Sequence, residues 1–404
     1  MCLQVDISKS GTVTGLRLEP LGEVSLPSCM AYVDDGVVFV GSLFGDSQLV
    51  KLAPERGADG GCLSMLSTEQ NIGPIIDFCL VDSEQHGYSH FVSCSGAFKD
   101  SSLRIVKSGV GVEEQAAVDL EGIKGLWALQ ENGSDCMLVQ SFVGETRVLK
   151  LANDELQESD VNGFDMASAS LLCGNVSRDV YFQVTAAEVR LGGAVQVVWQ
   201  CANDRITSAA AHGSDIVLCC KGGLVVKLRA SLPSSAAAAA SLDITGRVQL
   251  PSDIACVSMN PLVAGQPADL ACFGLWNHSI VLVRLSDMAV VHTEQLPLGV
   301  LSRSVLAANL DSTPSLLVGM GDGSVISYTL QWNGTAVSSL TQTNKFSIGA
   351  QAVQLCPFQS KDSVHVFACC DRPAVFYGQS GKIMYSNVGV KDVHHMCGFR
   401  CCCW

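Results

Sequence analysis

GVVFVGSLFGDSQLVKL, residues Gly36–Leu52, decides the fold. An apolar run reaches Gly41, a small polar stretch follows, and apolar character returns in LVKL. That is the pattern of two strands joined by a tight connection. It recurs as FVSCSGAFKDSSLRIVK from Phe91, MLVQSFVGETRVLKL from Met137, VYFQVTAAEVRL from Val180 and IVLCCKGGLVVKL from Ile216. LACFGLWNHSIVLVRL from Leu270, LLVGMGDGSVISYTL from Leu316 and VHVFACCDRPAVFY from Val364 complete the series. The turns fall about 47 residues apart, the length of a four-stranded propeller blade. Helical repeats of that length would carry a 3.6-residue apolar periodicity, which is absent.

Between the hairpins lie short strands rich in small residues: IACVSMNPL from Ile254, RSVLAANL from Arg303 and GAQAVQLCPF from Gly349. These suit the crowded inner strand that lines a propeller channel. SLPSSAAAAASLD, Ser231–Asp243, holds too few alanines for a stable helix, and Pro233 with its flanking serines favours a surface loop. The expected fold class is all-β, a β-propeller. None of the tryptophans at 127, 199, 276, 332 and 404 precedes an Asp, so the propeller is not of the Trp-Asp repeat lineage.

Of the 404 residues 48% are hydrophobic and 16% charged, enough to bury a large core. The net charge of −14, with no basic block, disfavours tight, direct nucleic-acid binding. MCLQVDISKSG lacks the basic and apolar regions of a secretory signal, and no apolar run is long enough to span a bilayer. The 19 cysteines are scattered, many inside apolar runs, and read as reduced, buried small hydrophobes.

GVVFVGSLFGDSQLVKL, SCSGAFKDSSLRIVKSGVGV, EGIKGLWAL, SFVGETRVLKL and ACCDRPAVFY together resemble one family of multi-propeller proteins. It contains the large subunit of the damage-specific DNA-binding heterodimer, an adaptor of cullin–RING ubiquitin ligases. A polyadenylation cleavage factor subunit and a splicing-factor subunit share its architecture. The resemblance runs from about residue 11 to 397 and is closest to the ubiquitin-ligase adaptor. It implies a seven-bladed second propeller, incomplete here, preceded by remnant blades of a first. Residues 1–118 would be those last blades, 119–397 the second propeller with about six blades, and 398–404 a divergent tail. With one blade missing, two blade faces would be uncovered. The ending GFRCCCW resembles a truncated or alternatively read terminus.

In the family the first and third propellers hold substrate receptors and the second docks the cullin. The resemblance therefore implies a cullin scaffold protein as partner, without substrate receptors, with DNA reached only indirectly and with no membrane. It implies a nuclear, also cytoplasmic, protein. DIACVSMN and GLWNHS occupy places that contribute to the cullin-facing surface, which nominates Asp253 and Trp276. An aromatic anchor with a nearby acid suits a protein interface, where Trp is enriched among hot spots. Without the resemblance, Trp276 packs between blades and Asp253 caps a turn. The rival function is an RNA-processing propeller of the polyadenylation or splicing machinery. A propeller enzyme with catalytic groups at the channel mouth is a further rival.

No residue pattern carries enzyme chemistry, so no catalytic residue, cofactor or metal is expected. GMGDG, Gly319–Gly323, mimics a phosphate loop, but the strand SVISYTL follows where a helix is required. HHMCGFRCCC, with His394, His395, Cys397 and Cys401–Cys403, lacks the two separated ligand pairs of a structural zinc site. VDDG, Val33–Gly36, is an Asp-Gly turn without the further oxygen ligands of a calcium loop.

Overall fold

The computed structural model describes the chain except residues 1, 54–60, 83–88, 107–108, 113–116, 119, 132–133, 153–154, 202–204, 233–238, 263–265, 298, 334–335, 361–362 and 400–404. Regular structure among the described residues is all strand apart from a 3-10 turn at Phe98–Asp100. The chain divides into two compact units, residues 1–108 and 109–404.

The first unit holds three antiparallel sheets. A two-stranded ribbon joins Cys2–Ile7 to Val13–Glu19, a four-stranded sheet spans residues 29–69, and a three-stranded sheet spans 75–106. The opening stretch supplies the middle of the four-stranded sheet, Val37–Gly41 and Ser47–Leu52. VDDG makes the turn into it, with Asp35 and Gly36 both at positive φ (45° and 77°), as a tight hairpin turn demands.

The second unit is built from six four-stranded sheets in simple meander order. We call them blades 1 to 6: residues 125–159, 172–200, 206–249, 254–295, 302–347 and 354–387. All eight hairpins read from the sequence are present, each as the second and third strands of its sheet. The segment 231–243 joins the third and fourth strands of blade 3, and its central residues 233–238 lie outside the described residues.

The second strands are near-continuous apolar runs because both of their faces are buried. In blade 4, Ala271, Phe273 and Leu275 enter a cluster with Val217, Cys219 and Val225 of blade 3. Their neighbours Leu270 and Cys272 point the other way, into a cluster with Val305, Ala307 and Leu316 of blade 5. The period-2 alternation of a strand thus serves two neighbouring blades at once. Similar clusters join blades 1 to 2, 2 to 3 and 5 to 6.

In blades 3, 4 and 5 the turn between second and third strands is held by the start of the inner strand and the end of the outer one. In blade 4, Trp276 N–H donates to the Asp253 carbonyl at 3.0 Å and Leu296 N–H to that of His278 at 2.8 Å. Blade 5 repeats this, with Gly321 donating to Leu301 and Ile348 to Gly323. The repetition sets the hairpin turns of the blades on one common rim.

The start of the second unit meets the chain that leaves blade 6. Val110 forms a parallel bridge with Val388, and Gly109, at φ 116°, brings its backbone so close to the Asn387 carbonyl that no side chain fits. Deeper in, Val393 N–H donates to the Cys370 carbonyl at 3.1 Å. The corresponding bond, Val353 to Met320 at 3.1 Å, leads into the inner strand of blade 6. Val393 thus holds the place after blade 6 that Val353 holds after blade 5.

Candidate functional site

Asp253 and Trp276 stand together on the rim of blade 4. Asp253 immediately precedes the inner strand Ile254–Ser258, and Trp276 immediately follows Leu270–Leu275, so the ladder between these strands brings them side by side. The Trp276 side chain is 51% exposed, half out of the blade stack. Its turn is firmly held: Gln295 Nε2 donates to the carbonyls of Asn277 and His278 at 3.2 and 3.1 Å. His278, at φ 63°, places its Nδ1 3.0 Å from the Val300 carbonyl oxygen.

The Asp253 carboxylate has a structural duty as well. Its Oδ1 accepts the N–H of Gly222 at 2.6 Å, a residue in the hairpin turn of blade 3. The pair is thus an aromatic side chain presented to solvent beside a carboxylate that fastens two blades. Val143, in the corresponding turn of blade 1, is 81% exposed, the most exposed large apolar side chain among the described residues. Its only sequence mark is an apolar residue before Gly144 in a tight turn.

GMGDG serves a hairpin turn. In GMGDG, Asp322 Oδ1 accepts from Ser324 N–H at 3.0 Å and a strand, Ser324–Asn333, follows. His394, His395 and Cys397 lie on the segment after blade 6, and Cys401–Cys403 fall outside the described residues. Among the described residues no group of three His, Cys, Asp or Glu is placed to hold a metal. Burial pushes the Cys173, Cys219 and Cys272 thiols up to about 12 and that of Cys256 to about 11, so they remain protonated packing groups.

Two family models match the chain: the RSE1/DDB1/CPSF1 second beta-propeller over residues 112–401 and the first beta-propeller of the same family over residues 1–108. Among curated proteins, the chain is 41% identical over 399 residues to DNA damage-binding protein 1 of Oryza sativa subsp. japonica. It is 38% identical over 400 residues to DNA damage-binding protein 1b of Arabidopsis thaliana. DNA damage-binding protein 1 of Drosophila melanogaster is 35% identical over 405 residues. These alignments take in 96% of the chain for the two plant proteins and 98% for the fly protein. The chain spans only 36%, 36% and 35% of those relatives' own lengths. This chain belongs to the RSE1/DDB1/CPSF1 β-propeller family.

Proposed function

We propose that the chain is a non-enzymatic β-propeller scaffold of a cullin-based ubiquitin ligase tied to DNA damage recognition, and that the rim of blade 4 docks the cullin. The observation that carries the proposal is Trp276, half exposed on a rigid turn beside Asp253. Interface anchors are typically aromatic side chains held in a fixed conformation, which lose little entropy on binding. The 35–41% identity to proteins named DNA damage-binding protein 1 supports the link to damaged DNA. The acidic balance of the chain favours reaching that DNA through other proteins rather than by phosphate contacts. Such a role places the protein in the nucleus, and also in the cytoplasm.

The experiment is a binding titration of the full chain with the N-terminal domain of a cullin. Trp276→Ala is expected to weaken binding by about 2 kcal/mol, roughly 30-fold. Equal affinity of the variant and the parent chain removes the blade 4 rim from the interface. Capture of cleavage-factor or spliceosomal proteins, with no cullin, moves the function to RNA processing.

A further inference from the structure

The inner strands of the second unit surround a cavity of about 730 Å³ whose charged lining has a single sign. Lys124, just ahead of blade 1, and Arg303, second residue of the inner strand Ser302–Leu310 of blade 5, both face it. His394 and His395 join them from the segment after blade 6, and Asn260 and Gln354 add neutral amides. Among the described residues no Asp or Glu lines this cavity, although the whole chain carries 39 acidic against 25 basic residues.

Neither Lys124 nor Arg303 pairs with a carboxylate among the described residues, and both side chains are exposed. Burial, together with the charges of His394 and Lys124, holds His395 below the usual imidazole range. The cationic groups are therefore gathered around one volume without a counter-charge, inside low-dielectric walls that concentrate their field. Charge of this kind lowers its energy by taking up an anion. Arg303 and Lys124 come from blades that are not neighbours, so they reach a shared ligand from different sides.

We propose that this channel is a binding site for a small, multiply charged phosphate ester. An arginine fork matches phosphate oxygens two at a time, and a lysine adds a point charge. A cavity of several hundred Å³ with a few convergent polar groups is the usual setting for a small-molecule ligand. More than one negative charge is called for because two cations, Lys124 and Arg303, converge there. The site is separate from the rim of blade 4, so its test does not depend on cullin binding.

The test is calorimetric titration of the full chain with myo-inositol hexakisphosphate, with citrate at matched ionic strength as a carboxylate comparison. The expected result is saturable binding of the phosphate ester. It should weaken at least about tenfold in Lys124→Ala and in Arg303→Ala, the loss appropriate to one charge-assisted contact. Both side chains are exposed, so truncation leaves the fold in place, which circular dichroism verifies. Lys382→Ala, on the outer strand of blade 6, should bind as the parent does. No saturable heat up to about 1 mM, or equal affinity in the Lys124→Ala/Arg303→Ala double variant, overturns the proposal. Citrate binding tighter than the phosphate ester overturns the phosphate assignment.

Discussion

Asp253 and Gly222 are joined across two blades: the carboxylate that leads into blade 4 accepts a backbone N–H from the hairpin turn of blade 3 at 2.6 Å. The sequence nominates Asp253 as a partner contact; the structure gives it the work of a clasp between blades. Asp253→Ala is expected to cost about 1–2 kcal/mol in urea unfolding, at or below the low end for a hydrogen bond to a charged group because Asp253 is exposed. Asp253→Asn keeps an acceptor oxygen and should cost less. Trp276→Ala, at a half-exposed site, should cost under about 1 kcal/mol. A binding defect in Trp276→Ala with unchanged unfolding then reports the interface rather than the fold.

A second clasp joins blades 3 and 4 through charge. The buried Lys227 Nζ donates to the Leu285 carbonyl at 3.0 Å and pairs with Asp215 at 3.0 Å, while Arg229 holds Asp215 at 2.7 Å. Burial draws the Asp215 carboxyl upward, but Arg229 and Lys227 together hold it below its ordinary value. The folded pKa lies below the unfolded one, so this stabilisation is complete above about pH 4 and fades as the pH falls through the folded pKa. Asp215→Asn should destabilise by about 3 kcal/mol at neutral pH, since Lys227 loses its buried partner. Its stability should also fall less steeply than the parent's on acidification below pH 4, read from urea midpoints across the series.

The close approach of Gly109 to Asn387 can be tested by adding a side chain. At φ 116°, against the Asn387 carbonyl, Gly109→Val meets both backbone strain and a steric block. The expected loss is about 2–3 kcal/mol, with the amides of Val110 and Val388 losing hydrogen-exchange protection before the blade cores. Gly111→Ala, where nothing lies within 4 Å, should be within about 0.5 kcal/mol of the parent.

The three-stranded sheet of the first unit exposes apolar side chains on both faces. Phe78 and Leu80 are 58% and 68% exposed on one face, Leu103 and Ile105 68% and 59% on the other. Such a surface favours self-association or a protein partner. Leu80→Glu combined with Leu103→Glu should lower dye binding and the aggregated fraction of the isolated chain in light scattering. An unchanged aggregated fraction would place the association elsewhere.

The repeated hairpin, and through it the all-β propeller, can be read from the residues alone. Val37–Gly41 with Ser47–Leu52, or Leu270–Leu275 with Ser279–Arg284, is legible because strand, turn and strand are local, and because strands buried on both faces lose their polar alternation. The strand that follows GMGDG likewise sufficed to read those glycines as a turn. Where the carboxylate of Asp253 goes depends on blade packing, since its partner Gly222 lies in another blade. The same holds for the bridge from Val110 to Val388 and for the meeting of Lys124, Arg303 and His395 around one cavity. These relations join residues far apart in the chain, and no periodicity records them. They arise when blade packing sets the angle between neighbouring sheets, which fixes which turns share a rim and which inner strands share a channel.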